Sequence, residues 1–164
     1  MASETKIKFK DCGFWIPEAF IEILSEYICE TFESIGVDSF SQNLQEIYDG
    51  CDGNRGGASC GMVNISLDRY ITNDSDKEAL IALLDRAKIL LQSKSDELSI
   101  ETLNQIESRK IDDYFKSQWH FPIKTQSLIA TINIIQRMLN GTWRSNSYGV
   151  YYVGFPNATH QEEI

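Results

Sequence analysis

No Lys or Arg occurs between Asp11 and Asp52, although that stretch holds ten acidic residues. The gap excludes the basic stripe that direct nucleic-acid binding would require. Long apolar runs are missing too. The longest, such as Ala79 to Leu84 and Ile89 to Leu91, fall far short of the roughly 20 residues needed to span a bilayer, so no membrane insertion is expected. Met1 to Lys10 contains no apolar signal core, and a cytoplasmic location is expected. That compartment predicts reduced thiols at Cys12, Cys29, Cys51 and Cys60 and unmodified sequons at Asn64, Asn73, Asn140 and Asn157. Histidine is scarce as well. With only His120 and His160 available, and Cys51 too far from Cys60 for a CxxC knuckle, no zinc site is expected.

The 164 residues are 42% hydrophobic, which suits one globular domain over the whole chain with a frayed tail from about residue 157. Thr5 to Asp11 alternates Ile7 and Phe9 with lysines and predicts an edge strand. Pro17 sits at the first turn of a helix carrying Phe20, Ile23, Leu24, Tyr27, Ile28, Thr31 and Ile35 on one side, with Gly36 as its stop. A shorter helix is expected over Asp38 to Tyr48. Asp49 to Gly61 has five glycines in thirteen residues and predicts a loop. It lacks the Gly-Lys-Ser/Thr ending of a phosphate loop and the closing Glu of a calcium loop, so no cofactor or metal is assigned to it.

Met62 to Tyr70 alternates through Val63, Ile65 and Leu67 and predicts a strand. Asn73 to Asp76 offers caps for a helix to about Gln92, and Ser99 opens another that runs through Ile111 to Phe115. Leu128, Ile129, Ile132, Ile134, Ile135, Met138 and Leu139 cover more than half of a helical circumference, which predicts a central helix capped by Thr125 and stopped by Gly141. Tyr148 to Phe155 reads as a strand apolar on both faces. It is either buried between helices or near a sheet edge that a partner strand could extend. Together these predict an α+β domain in which about five helices pack with a small, mostly antiparallel β-sheet.

Charge is the feature that rises above this background. Nearly all of the formal −9 belongs to the first third, because the chain from Arg55 onward nets only −1. Glu18, Glu22, Glu26, Glu30 and Glu33 recur at helical spacing and form one ridge opposite the Phe20/Ile23/Leu24/Tyr27 face. Like charges so spaced cost a helix about 0.2 to 0.5 kcal/mol per pair. The ridge is either a solvated face or a docking surface for a basic partner.

Two candidate chemistries compete with docking. Cys51 or Cys60 could act as a nucleophile with His120 as base, which would make a small cytoplasmic hydrolase or transferase of the Cys60/His120 pair. Against it, His120 lies between Trp119 and Phe121 and reads as a packed aromatic-cluster residue. Asp112 and Asp113 point about 100° apart on a helix and read as a solvated edge, not an acid/base pair.

In size, acidity and layout the chain resembles bacterial toxin-immunity proteins, including those of contact-dependent growth inhibition systems. The resemblance implies a non-catalytic protein that occludes a basic nuclease toxin domain, its carboxylates standing against the Lys/Arg surface used for phosphates. The contact set it implies is Glu18, Glu22, Glu26, Glu30, Glu33, Asp49 and Asp52, with Tyr148 and Tyr151 beside them. It leaves the oligomeric state open.

Overall fold

A computed structural model describes residues 3–59 and 61–150 and shows an α+β fold. The N-terminal residues form a hairpin, β1 (Glu4–Phe9) against β2 (Cys12–Pro17), antiparallel from Glu4↔Pro17 to Phe9↔Cys12. Its turn places Lys10 at φ 54°, and the Lys10 N–H donates to Asp68 Oδ1 at 2.6 Å. Gly13 is required by close approach, since a Cβ there would lie 2.7 Å from the Ile7 carbonyl oxygen. β1 is an edge strand, as its lysines predict. β2, for whose residues before Pro17 the sequence pattern predicts no element, is central to its sheet. Its other neighbour is the short parallel β5 (Tyr148–Gly149), through Phe14↔Tyr148 and Trp15↔Gly149. The expected continuation of β5 over 151–155 lies outside the described residues, as does the tail from 157.

Helix α1 (Glu18–Ile35) leaves β2 directly, with Pro17 as the residue before it and Gly36, at φ +108°, ending it. It packs on α2 (Gln42–Arg55), α4 (Asp74–Gln92), α5 (Ile100–Glu107) and β2. Thirteen of its eighteen residues are buried. Helix α6 (Thr125–Leu139) buries all seven apolar positions expected of it and packs on α4 and β1. The hub is nevertheless α1 rather than α6, because α1 is covered on its polar side as well as its apolar one. Thr125 is the first residue of α6, not its cap, and its hydroxyl donates to the Ser95 carbonyl.

Three expected boundaries move. The glycine-rich segment is helical as far as Arg55, since Cys51 and Asn54 face the core and Asn54 Nδ2 donates to Ser25 Oγ at 3.2 Å. Met62 to Tyr70 is not a strand. Val63, Ile65 and Leu67 do alternate inward, but side chains replace the ladder: Asn64 Nδ2 donates to the Lys6 carbonyl at 3.1 Å and Asn54 Nδ2 to the Asn64 carbonyl at 2.8 Å. Leu67–Tyr70 then forms the one-turn α3. Helix α5 stops at Glu107 rather than running through Phe115, and a two-stranded ribbon, β3 (Glu97–Leu98) with β4 (Ile123–Lys124), closes the segment that follows it. The buried apolar side chains form one cluster that spans sheet and helices. No helix among the described residues is long and apolar enough to cross a membrane.

Candidate functional site

The five ridge glutamates share α1 but not an environment. Glu18, Glu22 and Glu26 are buried, whereas Glu30 and Glu33 are half exposed. The expected outward ridge is therefore corrected for its first three members. The reason lies in residues outside the stretch from Asp11 to Asp52, which carry to α1 the cations that this stretch lacks.

Lys110, itself buried, contacts the Glu22 carboxylate, approaches Glu107 Oε2 at 2.7 Å and donates to the Phe115 carbonyl at 3.1 Å. Arg109 pairs with Glu26. Arg55 lies 3.8 Å from Glu26, 2.6 Å from Glu33 and 2.8 Å from Asp52. Glu18 has no ion pair among the described residues, and it is the backbone N–H groups of Gly61 and Val63 that favour its charged form. Burial pushes the Glu18 carboxyl up, against the pull of those N–H groups, and pushes Glu22 up against the pull of Lys110. At Lys110 burial disfavours the ammonium, yet its hydrogen bonds to Glu107 and Glu22 outweigh that and its pKa rises.

Glu107 extends this interior network. Its carboxylate accepts the Ser117 N–H at 3.0 Å and the Trp119 indole N–H at 3.3 Å, while Asn104 Oδ1 accepts the Trp119 backbone N–H at 2.9 Å. The Trp119 ring meets Phe20 of α1 edge-on at 5.7 Å between centroids. A basic pair, Arg109 and Lys110, thus nails the irregular segment after α5 onto the acidic side of α1. Sequence reasoning missed this because the helical pattern ran on to Phe115.

Three exposed members of the expected contact set meet: Glu33 and Asp52 share Arg55, and Glu30 and Glu33 wall one cleft. Glu33 in the last turn of α1 is also reached by Tyr48 Oη of α2 at 3.4 Å, and on α2 Glu46, Asp49 and Asp52 are spaced by three. Glu46 and Asp49 form no ion pair among the described residues. A cleft of about 440 Å³ opens next to this face, walled by Tyr27, Glu30, Glu33, Arg55, Lys94 and Arg109 among others. Carboxylates and cations balance in the cleft, with Lys94 at 3.9 Å from Glu30, so the surplus negative charge sits on the α2 side. Tyr148 is half-buried with its ring edge-on to Trp143 at 5.1 Å, and Tyr151 lies outside the described residues.

The nucleophile candidates fare differently. Burial raises Cys51 to about 12 and lifts Cys29 and Cys12 as well, so these thiols stay protonated near neutrality and are poor nucleophiles. Cys60 lies outside the described residues. His120 is exposed between buried Trp119 and exposed Phe121, contrary to the packed position expected for it. Asp112 and Asp113 are exposed, and Asp112 caps the Tyr114 N–H at 2.9 Å. No group of His, Cys, Asp or Glu among the described residues is arranged to hold a metal ion. Comparison with protein-family models, with curated proteins and with solved structures finds no match to the chain.

Proposed function

We propose that the chain is a non-catalytic inhibitor of the toxin-immunity type, which holds a basic protein, in the first instance a nuclease toxin domain, through an acidic face. The face consists of Glu30, Glu33, Glu46, Asp49 and Asp52 rather than of the whole glutamate ridge. The observation that carries the proposal is the charge left over once the molecule has satisfied itself. Three of the five ridge carboxylates are consumed internally, while among the described residues Glu46 and Asp49 have no cation and Glu30, Glu33 and Asp52 remain about half exposed. Glu33 also stands in the last turn of α1, where the helix dipole disfavours a negative charge and where no basic residue compensates it from within the helix.

In function, such a face steers a basic partner by long-range attraction and blocks its phosphate-binding surface once bound. The chain acts in the cytoplasm of the cell that makes it, and needs no cofactor.

The test is affinity capture from a lysate of the native cell on the wild-type chain and on E30K/D49K, eluted with a salt gradient. Retention of one basic protein by the wild type, its early elution from the variant, and rescue of growth when it is co-expressed with the chain are the expected results. Equal retention by both columns, or elution indifferent to salt, overturns the acidic face.

A further inference from the structure

We infer that the segment from Ile111 to Phe121 is the apolar anchor by which the chain grips the basic protein proposed above, on whose existence this inference rests. Ile111 is 97% exposed, Tyr114 86% and Phe121 53%, three large apolar side chains in eleven residues with Phe115 beside them. Large apolar side chains exposed singly are ordinary, but several gathered on one short segment, with the Tyr114 and Phe115 rings in contact, mark an interaction site.

The backbone that carries them is irregular yet tightly held. Lys110 Nζ fixes the Phe115 carbonyl, Glu107 fixes the Ser117 N–H and the Trp119 indole, and Asp112 fixes the Tyr114 N–H. A segment fixed in this way loses little further freedom on binding, which is what an anchor requires. Tyrosine is also among the residues that dominate interface energetics.

Charge selects the occupant. A net −9 on every copy opposes self-association through this segment, and the same charge opposes an anionic membrane. Asp112 and Asp113 are exposed between Ile111 and Tyr114, with Lys116 pairing Asp113 alone. The complementary surface is a protein with an apolar pocket rimmed by Lys or Arg. The segment also begins close to the acidic face, since Arg109, two residues before it, walls the same cleft as Glu30 and Glu33.

The experiment places the photo-crosslinker p-benzoylphenylalanine at Tyr114 in the full chain, identifies the product formed in native lysate, and titrates that purified protein against the variants I111S/Y114S and E30K/D49K. The expected product is a basic protein whose affinity falls about 100-fold with I111S/Y114S at unchanged salt dependence, whereas E30K/D49K lowers the salt dependence. Both replaced apolar side chains are exposed, so urea midpoints equal to wild type show that the loss is one of contact. Wild-type affinity in I111S/Y114S with weakened binding in E30K/D49K removes the anchor and leaves the acidic face standing. No crosslinked product removes the anchor and leaves the acidic face to the salt-eluted capture, whereas indifference to both variants removes both. A crosslinked dimer of this chain, or loss in I111S/Y114S of binding to phosphatidylglycerol vesicles, replaces the assigned occupant and overturns the proposal.

Discussion

Two halves of one row of glutamates on α1 have the same residue type and both follow helical spacing, yet Glu22 and Glu26 lie inside the protein and Glu30 and Glu33 lie at its surface. Helical periodicity assigns side chains to a face; it does not say what that face meets. What decides is chain that returns from far away: Arg109 pairs with Glu26 across 83 positions. The inner half holds the molecule's own structure together, and the outer half stands half exposed with Arg55 and Lys94 beside it. The like-charge cost of about 0.2 to 0.5 kcal/mol per pair that made the row look costly as a helix is offset in the inner half by Arg109 and Lys110.

The comparison breaks most visibly at Lys110. Its replacement by Met leaves Glu22 and Glu107 buried without their cation, and breaking a buried pair from one side costs about 3 to 5 kcal/mol. Urea unfolding of K110M should show a loss of that size. A K110M variant as stable as wild type would mean that the inner half is no more structural than the outer.

Much of the layout was legible before any coordinates. The edge position of β1, the Asn73 and Ser99 caps, the Gly36 stop and the buried stripe of α6 all follow from local signals, because caps and periodicity act within a turn or two. Glycine count misled at 49–55, where packing of Cys51 and Asn54 against α1 outweighs the low helix propensity of Gly50 and Gly53. Alternation misled at 62–70, since inward alternation needs only burial and a strand also needs a ladder partner. At the candidate site the divide is the same. Acidity was legible, but its partition between interior and surface depends on Arg55, Arg109 and Lys110, and no local pattern links those cations to α1. Ile111 and Tyr114, exposed in the structure, fit a helical pattern in the sequence for the same reason.

A pH series sharpens the comparison at intermediate size. Burial raises the Glu18 and Glu22 pKa values above their unfolded ones. The native state therefore binds these protons more tightly, and the resulting stabilisation is complete below the unfolded value of about 4.3 and lost as pH rises through the higher native values. Gln at both positions cannot titrate. The stability of the wild type relative to E18Q/E22Q should accordingly improve as the pH falls from 7 to 5, read as converging or crossing urea midpoints. The opposing acid-side loss at Asp76, held low by Ser41, Asn43 and Asn73, is common to both proteins and cancels in the difference. A difference that stays flat with pH would mean that neither carboxyl is desolvated.

The smallest effect belongs to the outer half. Glu33 in the last turn of α1 opposes the helix dipole by about 0.3 to 1 kcal/mol, while its half-exposed pair with Arg55 contributes about 0.2 to 1 kcal/mol. These cancel, so E33Q should move the folding free energy by less than about 0.5 kcal/mol, the range of ordinary surface changes. A loss of several times that in E33Q would move Glu33 into the structural group with Glu22 and Glu26, and the acidic face would shrink to the carboxylates of α2. Near-neutrality in folding combined with a lowered salt dependence of partner binding would instead mark a charge maintained for a second molecule, because folding alone gives no reason to keep it.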